Sequence, residues 1–126
     1  MKQEKLTEEV IGACFEVANE LGSGFLESVY EKALLIALRK KNINVVTQAP
    51  VTVTFRGQQV GSFFADLLVE DEVIVELKAV KALVPEHLAQ VINYLKATGL
   101  ETALLVNFGS RKVEYRRLHN KTDQLI

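Results

Sequence analysis

The chain has 126 residues, of which 48% are hydrophobic and 25% charged, and its formal net charge is -1. This length fits one domain around one hydrophobic core, and the composition excludes disordered and collagen-like chains. The near-neutral charge removes the simplest sign of a nucleic-acid-binding protein, a strongly basic whole chain. Any such role must therefore depend on a local patch.

Cysteine content and hydropathy bound the cellular setting. The single cysteine, Cys14, excludes an intrachain disulfide framework and a cysteine-based zinc cluster. It lies on an apolar helix stripe, which favours an inert core thiol over a reactive one. The amino-terminal residues mix charges, and no apolar run reaches the ~18 residues that a membrane helix needs. We therefore expect a cytoplasmic protein without a membrane span.

Hydrophobic spacing predicts two helices before any strand. Apolar residues three and four apart indicate a first helix over about 7–21, with Thr7 as its N-cap and Gly22 as its stop. A second helix is predicted over about 26–41, after a glycine-rich break.

The periodicity then changes to two, which predicts an antiparallel meander entered at Pro50, with strands at about 51–55, 60–69 and 72–79. Pro85 opens a third helix, 85–98, and the apolar run 102–107 indicates a strand buried on both faces. A right-handed crossover makes that strand parallel to the 72–79 strand, and about 112–118 forms a last, edge strand. The order ααβββαββ predicts one α+β domain over 1–126 with a mixed sheet flanked by helices.

Charged side chains interrupt two of the predicted strands. Asp66 lies in an apolar stretch, where a charge is costly unless a cation compensates it. Alternation puts Glu76 and Lys78 on one face of the next strand, and the intervening turn can bring Asp66 beside Glu76. Converging carboxylates suit Mg²⁺ or Mn²⁺. The alternative is that Asp66 only pairs with Lys78.

Two helices carry polar side chains that can reach such a site. Glu27, Tyr30 and Glu31 have the spacing i, i+3, i+4, which predicts one polar stripe on the second helix. Gln90 and Tyr94 are four residues apart on the third helix, although such a pair is also ordinary for an amphipathic helix. His87 and His119 show no ligand spacing and are assigned to the surface.

One basic cluster is the best candidate for nucleic-acid contact. Its members surround a single acidic residue, Glu114, and are Arg111, Lys112, Arg116, Arg117 and Lys121. Arg116 and Arg117 must point to opposite faces of a strand, and protection of an edge strand explains the cluster nearly as well.

The segment Gly24-Phe25-Leu26-Glu27-Ser28-Val29-Tyr30 resembles the GxxExxY signature of a prokaryotic family in the PD-(D/E)xK nuclease superfamily. Asp66 followed by Glu76-Leu77-Lys78 resembles the superfamily's catalytic signature, although Ala65 stands where the name has proline. Gln90 and Tyr94 resemble the QxxxY motif of RecB-like members. The resemblance spans nearly the whole chain and implies a restriction-endonuclease-like core.

The resemblance further implies a metal-dependent nuclease, for which we favour DNA over RNA as the substrate. Asp66, Glu76 and the main-chain oxygen of Leu77 would hold Mg²⁺ or Mn²⁺, with Glu27 at the edge of the site or as ligand to a second ion. Lys78 would orient the attacking water. The residues that would contact substrate or support the site are Tyr30, Gln90, Tyr94, Arg111 and Lys112.

Two other readings stay open. The first is a nucleic-acid-binding or protein-interaction module that keeps this fold without turnover, and the second is a metal-binding structural protein. Small size and weak charge also predict that a homodimer or a protein partner completes the substrate channel.

Overall fold

The structure, a computed structural model, describes residues 2–120. Its elements are, in chain order, α1 (Lys2–Leu21), α2 (Glu27–Lys40), β1 (Val45–Phe55), β2 (Gln58–Val69), β3 (Val73–Lys78), α3 (Pro85–Thr98), β4 (Thr102–Asn107) and β5 (Glu114–His119). This is the predicted order ααβββαββ. None of the helices within residues 2–120 is long and apolar enough to cross a membrane.

The five strands form one mixed sheet in the order β1-β2-β3-β4-β5. β3 and β4 are parallel and joined through α3, whereas the other neighbours are antiparallel. All six positions of β4 are buried, as the apolar run predicted. β5 lies at one edge of the sheet and β1 at the other.

Helices cover both faces of the sheet. Val75 and Leu77 of β3 pack into one core cluster with side chains of α1 and α2. Ile74 points to the other face and packs with Val91 and Leu95 of α3. The strict alternation along β3 therefore fixes which side chains face which layer, and the α+β class with a helix-flanked mixed sheet is confirmed.

Two predicted boundaries are wrong. α1 begins before Thr7, so Thr7 is buried inside the helix and is not its N-cap. Its hydroxyl donates to the main-chain oxygen of Glu4 (2.8 Å) and accepts from Nε of Arg117 (3.1 Å), a bond that only the tertiary fold provides. β1 begins at Val45 and contains Pro50, which an edge strand tolerates because one side of its backbone needs no partner.

The β1–β2 hairpin is much longer than β3. β2 pairs with β3 only over Leu67–Val69, so the rest of the hairpin extends past β3. Val51 and Ala65 of this extension pack in the same cluster as Tyr94 of α3. We call residues 49–65 of the hairpin the arm. The arm leans over α3 and forms one wall of a cleft described below.

Candidate active site

Two carboxylates lie where β2 and β3 stop pairing. Main-chain pairing runs from Val69 and Val73 to Leu67 and Val75. One residue further, the N–H of Asp66 donates to Oε1 of Glu76 (2.8 Å), and the N–H of Leu77 donates to Oδ2 of Asp66 (2.8 Å). The carboxylates of Asp66 and Glu76 thus replace the main-chain hydrogen bonds between the two strands and lie side by side. The predicted approach of Asp66 to Glu76 is confirmed.

Burial makes this pair electrostatically strained without a cation. Glu76 is only 4% exposed. That burial, reinforced by the negative charge of Asp66, raises the pKa of Glu76 to about 7. Burial also raises the pKa of Asp66, while the hydrogen bond from Leu77 and the charge of Lys78 act in the opposite direction. The site therefore favours positive charge, whether a proton or a metal ion.

We expect the metal-free protein to lose stability as the pH rises through neutrality. The pKa of Glu76 is raised from 4.5 to about 7 on folding, so its proton stabilises the fold fully below about 4.5 and this contribution is lost as the pH passes about 7. The loss should reach about 3 kcal/mol. Chemical denaturation in chelator across this range measures it. Glu76→Gln, which cannot ionise, should show a much flatter profile, and an equal pH dependence in both proteins would contradict the assignment.

Lys78 follows Glu76 by two positions on β3 and shares its face. Its positive charge lowers the pKa values of Glu27, Asp66 and Glu76 against the larger effect of burial. The Asp66 carboxylate accepts the main-chain N–H of Leu77, so it is not simply the ion-pair partner of Lys78. One ammonium thus acts on several carboxylates at once.

Helix α2 brings two further carboxylates toward the pair. Burial raises the pKa of Glu27, and the negative charge of Asp66 raises it further, which places this first-turn residue within electrostatic reach of the site. Burial and then the charge of Asp66 likewise raise the pKa of Glu31, one turn later. Glu27 and Glu31 therefore share a polar stripe, as predicted.

Tyr30 does not lie on that stripe, and this part of the prediction is wrong. Its side chain is fully buried, and its ring stacks on Phe108 at 4.6 Å between centroids. Its hydroxyl donates to the main-chain oxygen of Gly22 (2.6 Å) and accepts from the N–H of Phe25 (3.2 Å). Three residues advance a helix by about 300°, which turns Tyr30 to the opposite side of Glu27 from Glu31. Tyr30 supports the site only by fixing the segment that leads into α2.

Tyr30→Phe should therefore lower the free energy of unfolding by about 1–2 kcal/mol, because the partly buried hydrogen bonds to the main chain of Gly22 and Phe25 are lost while the ring packing is kept. Manganese affinity of the folded protein should stay within about twofold of the parent, a change below ~0.4 kcal/mol. Denaturant titration and isothermal calorimetry measure the two quantities. A large loss of manganese affinity with unchanged stability would place Tyr30 at the site after all.

Gln48 is a site residue that the sequence analysis missed. It lies between Thr47 and Ala49, whose β2 partners are Leu67 and Ala65, and so stands across from Asp66. Its backbone has φ of 51°, a left-handed conformation that is rare for glutamine. Its Nε2 donates to Oε1 of Glu31 (2.9 Å), and a hydrogen bond from its side chain also lowers the pKa of Asp66.

His87 also lies closer to the site than predicted. It is half-buried, and its Nδ1 accepts the N–H of Val84 (3.1 Å) at the start of α3. Its charge lowers the pKa of Glu27. The sequence offered no ligand spacing for this histidine, because its place is set by the loop between β3 and α3.

Helix α3 places Tyr94 beside the acidic pair. Nε2 of Gln90 donates to the Tyr94 hydroxyl (3.3 Å). Burial raises the pKa of Tyr94, and the negative charges of Glu76 and Asp66 raise it further. The spacing of four thus brings Gln90 and Tyr94 together at the edge of the site.

The basic cluster is split by the fold. Arg111 and Lys112 are exposed in the loop after β4. This loop begins at the C-terminal ends of β3 and β4, where Lys78 pairs with Asn107. Arg117 turns instead toward Thr7 of α1. Lys121 lies outside the described residues. Of the basic cluster, Arg111 and Lys112 are therefore the two residues whose loop starts beside the C-terminal end of β3, which carries Glu76.

The donor chemistry fits a hard divalent cation. Within residues 2–120, no three His, Cys, Asp or Glu side chains converge closely enough to hold a metal by themselves. Asp66 and Glu76 supply two carboxylates, each with an oxygen beyond the one that accepts a main-chain N–H. Magnesium is commonly held by one or two carboxylates and keeps several waters, so this set suffices. Glu27 is not a third converging ligand in this arrangement and would act through water.

Comparison with known proteins agrees with this geometry. Residues 4–118 match the family model of the PD-(D/E)XK nuclease superfamily, whose members are usually divalent-metal-dependent nucleases. The chain belongs to this superfamily.

Among solved structures, the chain is similar to the protein described as "Crystal structure of SSO0001", with a TM-score of 0.59 over 74% of this chain and 16% sequence identity. At that identity the likeness shows the fold. The chain spans 49% of the length of that protein. Comparison with curated protein sequences finds no significant match.

Proposed function

We propose that this protein is a metal-dependent nuclease that hydrolyses phosphodiester bonds at the site formed by Asp66, Glu76 and Lys78, with DNA as its substrate. The exchange of main-chain pairing for side-chain hydrogen bonds between β2 and β3 is the observation that carries the proposal. It holds the buried carboxylate of Glu76 and the half-buried carboxylate of Asp66 together beside an ammonium, and two like charges held this close destabilise the fold unless a cation compensates them.

The residues divide the work by charge. Asp66, Glu76 and the main-chain oxygen of Leu77 would hold Mg²⁺ or Mn²⁺. When bound there, the ion supplies positive charge that polarises a phosphoryl oxygen and acidifies water. The Lys78 ammonium orients the attacking water and offsets the charge that develops on phosphorus-bound oxygens. Glu27 accepts a hydrogen bond from water at the edge of the site.

Helix α3 and the loop after β4 would contact the nucleic acid. Gln90 and Tyr94 position the strand beside the carboxylates, and Arg111 and Lys112 meet its phosphates. Within the superfamily we place the chain with the GxxExxY family and near RecB-like members, on the motifs at 24–30 and 90–94. Burial raises the pKa of Cys14 to about 12, and this inert thiol suits our proposed cytoplasmic location.

Cleavage of labelled single-stranded, duplex and branched DNA, and of RNA, with Mg²⁺ or Mn²⁺ tests the proposal. Asp66→Ala and Glu76→Ala should each abolish the metal-dependent activity. Asp71→Asn is a matched control, since Asp71 is an exposed carboxylate on the turn before β3. Activity that survives both alanine substitutions, or that needs no metal, would refute the assignment.

A second candidate is a protein-interaction module without turnover. The arm exposes several large apolar side chains, namely Phe55, Val60, Phe63 and Phe64. Such side chains are typical of a surface that a partner covers, either another protein or a second copy of this chain. A protein that binds manganese but cleaves no substrate until a partner is added would favour this function.

A further inference from the structure

A cleft of about 780 Å³ separates the arm from α3. The arm contributes Val53, Thr54 and Phe63, and α3 contributes Gln90, Tyr94 and Ala97 among others. Most of the exposed cleft surface is apolar, and its helix side adds the amides of Gln90 and Asn93 and two charged side chains, Glu86 and Lys96.

Aromatic surface at this cleft is arranged for contact with a flat ring. Phe63 is 48% exposed, and its ring centroid lies 6.0 Å from that of Tyr94 with the planes tilted by 38°. Gly61 precedes Phe63 by two positions on the same strand. A Cβ at Gly61 would come within 3.3 Å of the Phe63 ring, so glycine leaves this ring room to lie along the strand.

Tyr94 links the cleft to the proposed catalytic site. Tyr94 lines the cleft, yet it also lies within electrostatic reach of Glu76 and Asp66. Phe63 and Asp66 are three residues apart on β2, which corresponds to about 10 Å along a strand. That length is comparable to the reach from a nucleotide's phosphate to the far edge of its base.

We propose that the cleft binds one unpaired nucleobase of the substrate strand, next to the phosphodiester that is cleaved. The proposal rests on the nuclease function above. An aromatic face stacks on any base, and the side-chain amides of Gln90 and Asn93 can both donate to and accept from a base edge. A paired base inside a duplex presents no free face, so the occupant comes from a single strand, a single-stranded overhang or a distorted duplex.

Binding in the absence of cleavage tests the cleft directly. Short single-stranded DNA with one 2-aminopurine is titrated with the full chain in chelator, where the fluorescence of the base reports stacking. Phe63→Ala should weaken binding by about 5- to 100-fold, the effect of losing one base–aromatic stack. Phe63→Trp should retain binding. Melting temperatures check that each variant is folded.

Phe64→Ala is the matched control. Phe64 is the next residue on β2 and is 58% exposed, but it does not line the cleft. Its replacement should leave binding unchanged. Equal losses for Phe63→Ala and Phe64→Ala would overturn the proposal, as would equally tight, Phe63-dependent binding of blunt duplex DNA.

Cleavage of a strand with a single abasic site, moved one position at a time, locates the base. The parent should slow by about 5- to 100-fold when the abasic position lies beside the cut, and Phe63→Ala should lose this sensitivity. If the parent cleaves normally and its rate does not depend on the abasic position, the proposed base binding in the cleft is wrong while the proposed nuclease function stands. Phe63-dependent stacking by a parent that cleaves nothing would support the cleft and refute the nuclease.

Discussion

Lys78→Ala should lower the rate of metal-dependent cleavage by about 10²–10³, the usual effect of removing one preorganised group that stabilises transition-state charge. Manganese affinity should persist or rise in the same variant. The ammonium lies close enough to lower the pKa values of Asp66 and Glu76, so it also repels a cation bound between them. The expected signature is therefore a loss of rate without a loss of metal.

Single-turnover cleavage and calorimetric titration of manganese measure the two effects separately. Lys81→Ala is the control, because Lys81 is an exposed lysine three residues further along the chain. It should retain the parent's rate and affinity. Loss of manganese binding in a folded Lys78→Ala protein would assign Lys78 to holding the carboxylates in place.

The parts of the fold that local chemistry determines were predictable from the sequence. Pro85 and Gly99 delimit α3 as expected, since proline needs no donor at a first helical turn and Gly99 adopts φ of 75° at the C-cap. The middle of β4, residues 103–106, is continuously apolar and offers neither face a polar side chain for water, and the polar residues at its two ends, Thr102 and Asn107, are buried as well. Its burial on both faces followed directly.

The missed features depend on contacts between distant segments. Gln48 reaches Asp66 because the backbone of β1 is left-handed at Gln48. No pattern in the sequence of residues 45–50 predicts this conformation. Thr7 is held inside α1 partly by Arg117, 110 residues away in sequence. Neither contact leaves a signal in local spacing.

The site was predictable where strand alternation and a tight turn set the geometry. Glu70 and Asp71 adopt φ of 51° and 56°, which folds β2 back on β3 in the register that brings Asp66 to Glu76. The roles of the α2 residues were harder to predict, because side chains three and four positions after Glu27 lie on opposite sides of it. Glu31 therefore joins the site, while Tyr30 enters the core.

The same geometry predicts that the metal-free site destabilises the fold. Glu76 is buried beside Asp66 with few compensating positive charges, and Lys78 is shared among the carboxylates. Proteins tolerate such local strain when it serves a function. Neutralising one member of the pair should relieve it.

Asp66→Asn should accordingly raise the free energy of unfolding in chelator by about 1 kcal/mol, or roughly 4 °C in Tm for a domain of this size. The amide oxygen can still accept the N–H of Leu77, so the hydrogen bond is kept while the repulsion is removed. Manganese at a hundred times its Kd should stabilise the parent by about 2.7 kcal/mol. Asp66→Asn should lose nearly all of this gain.

Thermal unfolding with chelator and with manganese measures both halves of this prediction, with Asp71→Asn as the control that should follow the parent in each condition. The two halves separate function from structure. A variant that melts clearly below the parent in chelator would make Asp66 a structural ion-pair partner of Lys78. A variant that is stabilised by manganese as strongly as the parent would show that the ion binds elsewhere, because a site built on two carboxylates cannot keep its affinity after losing one of them.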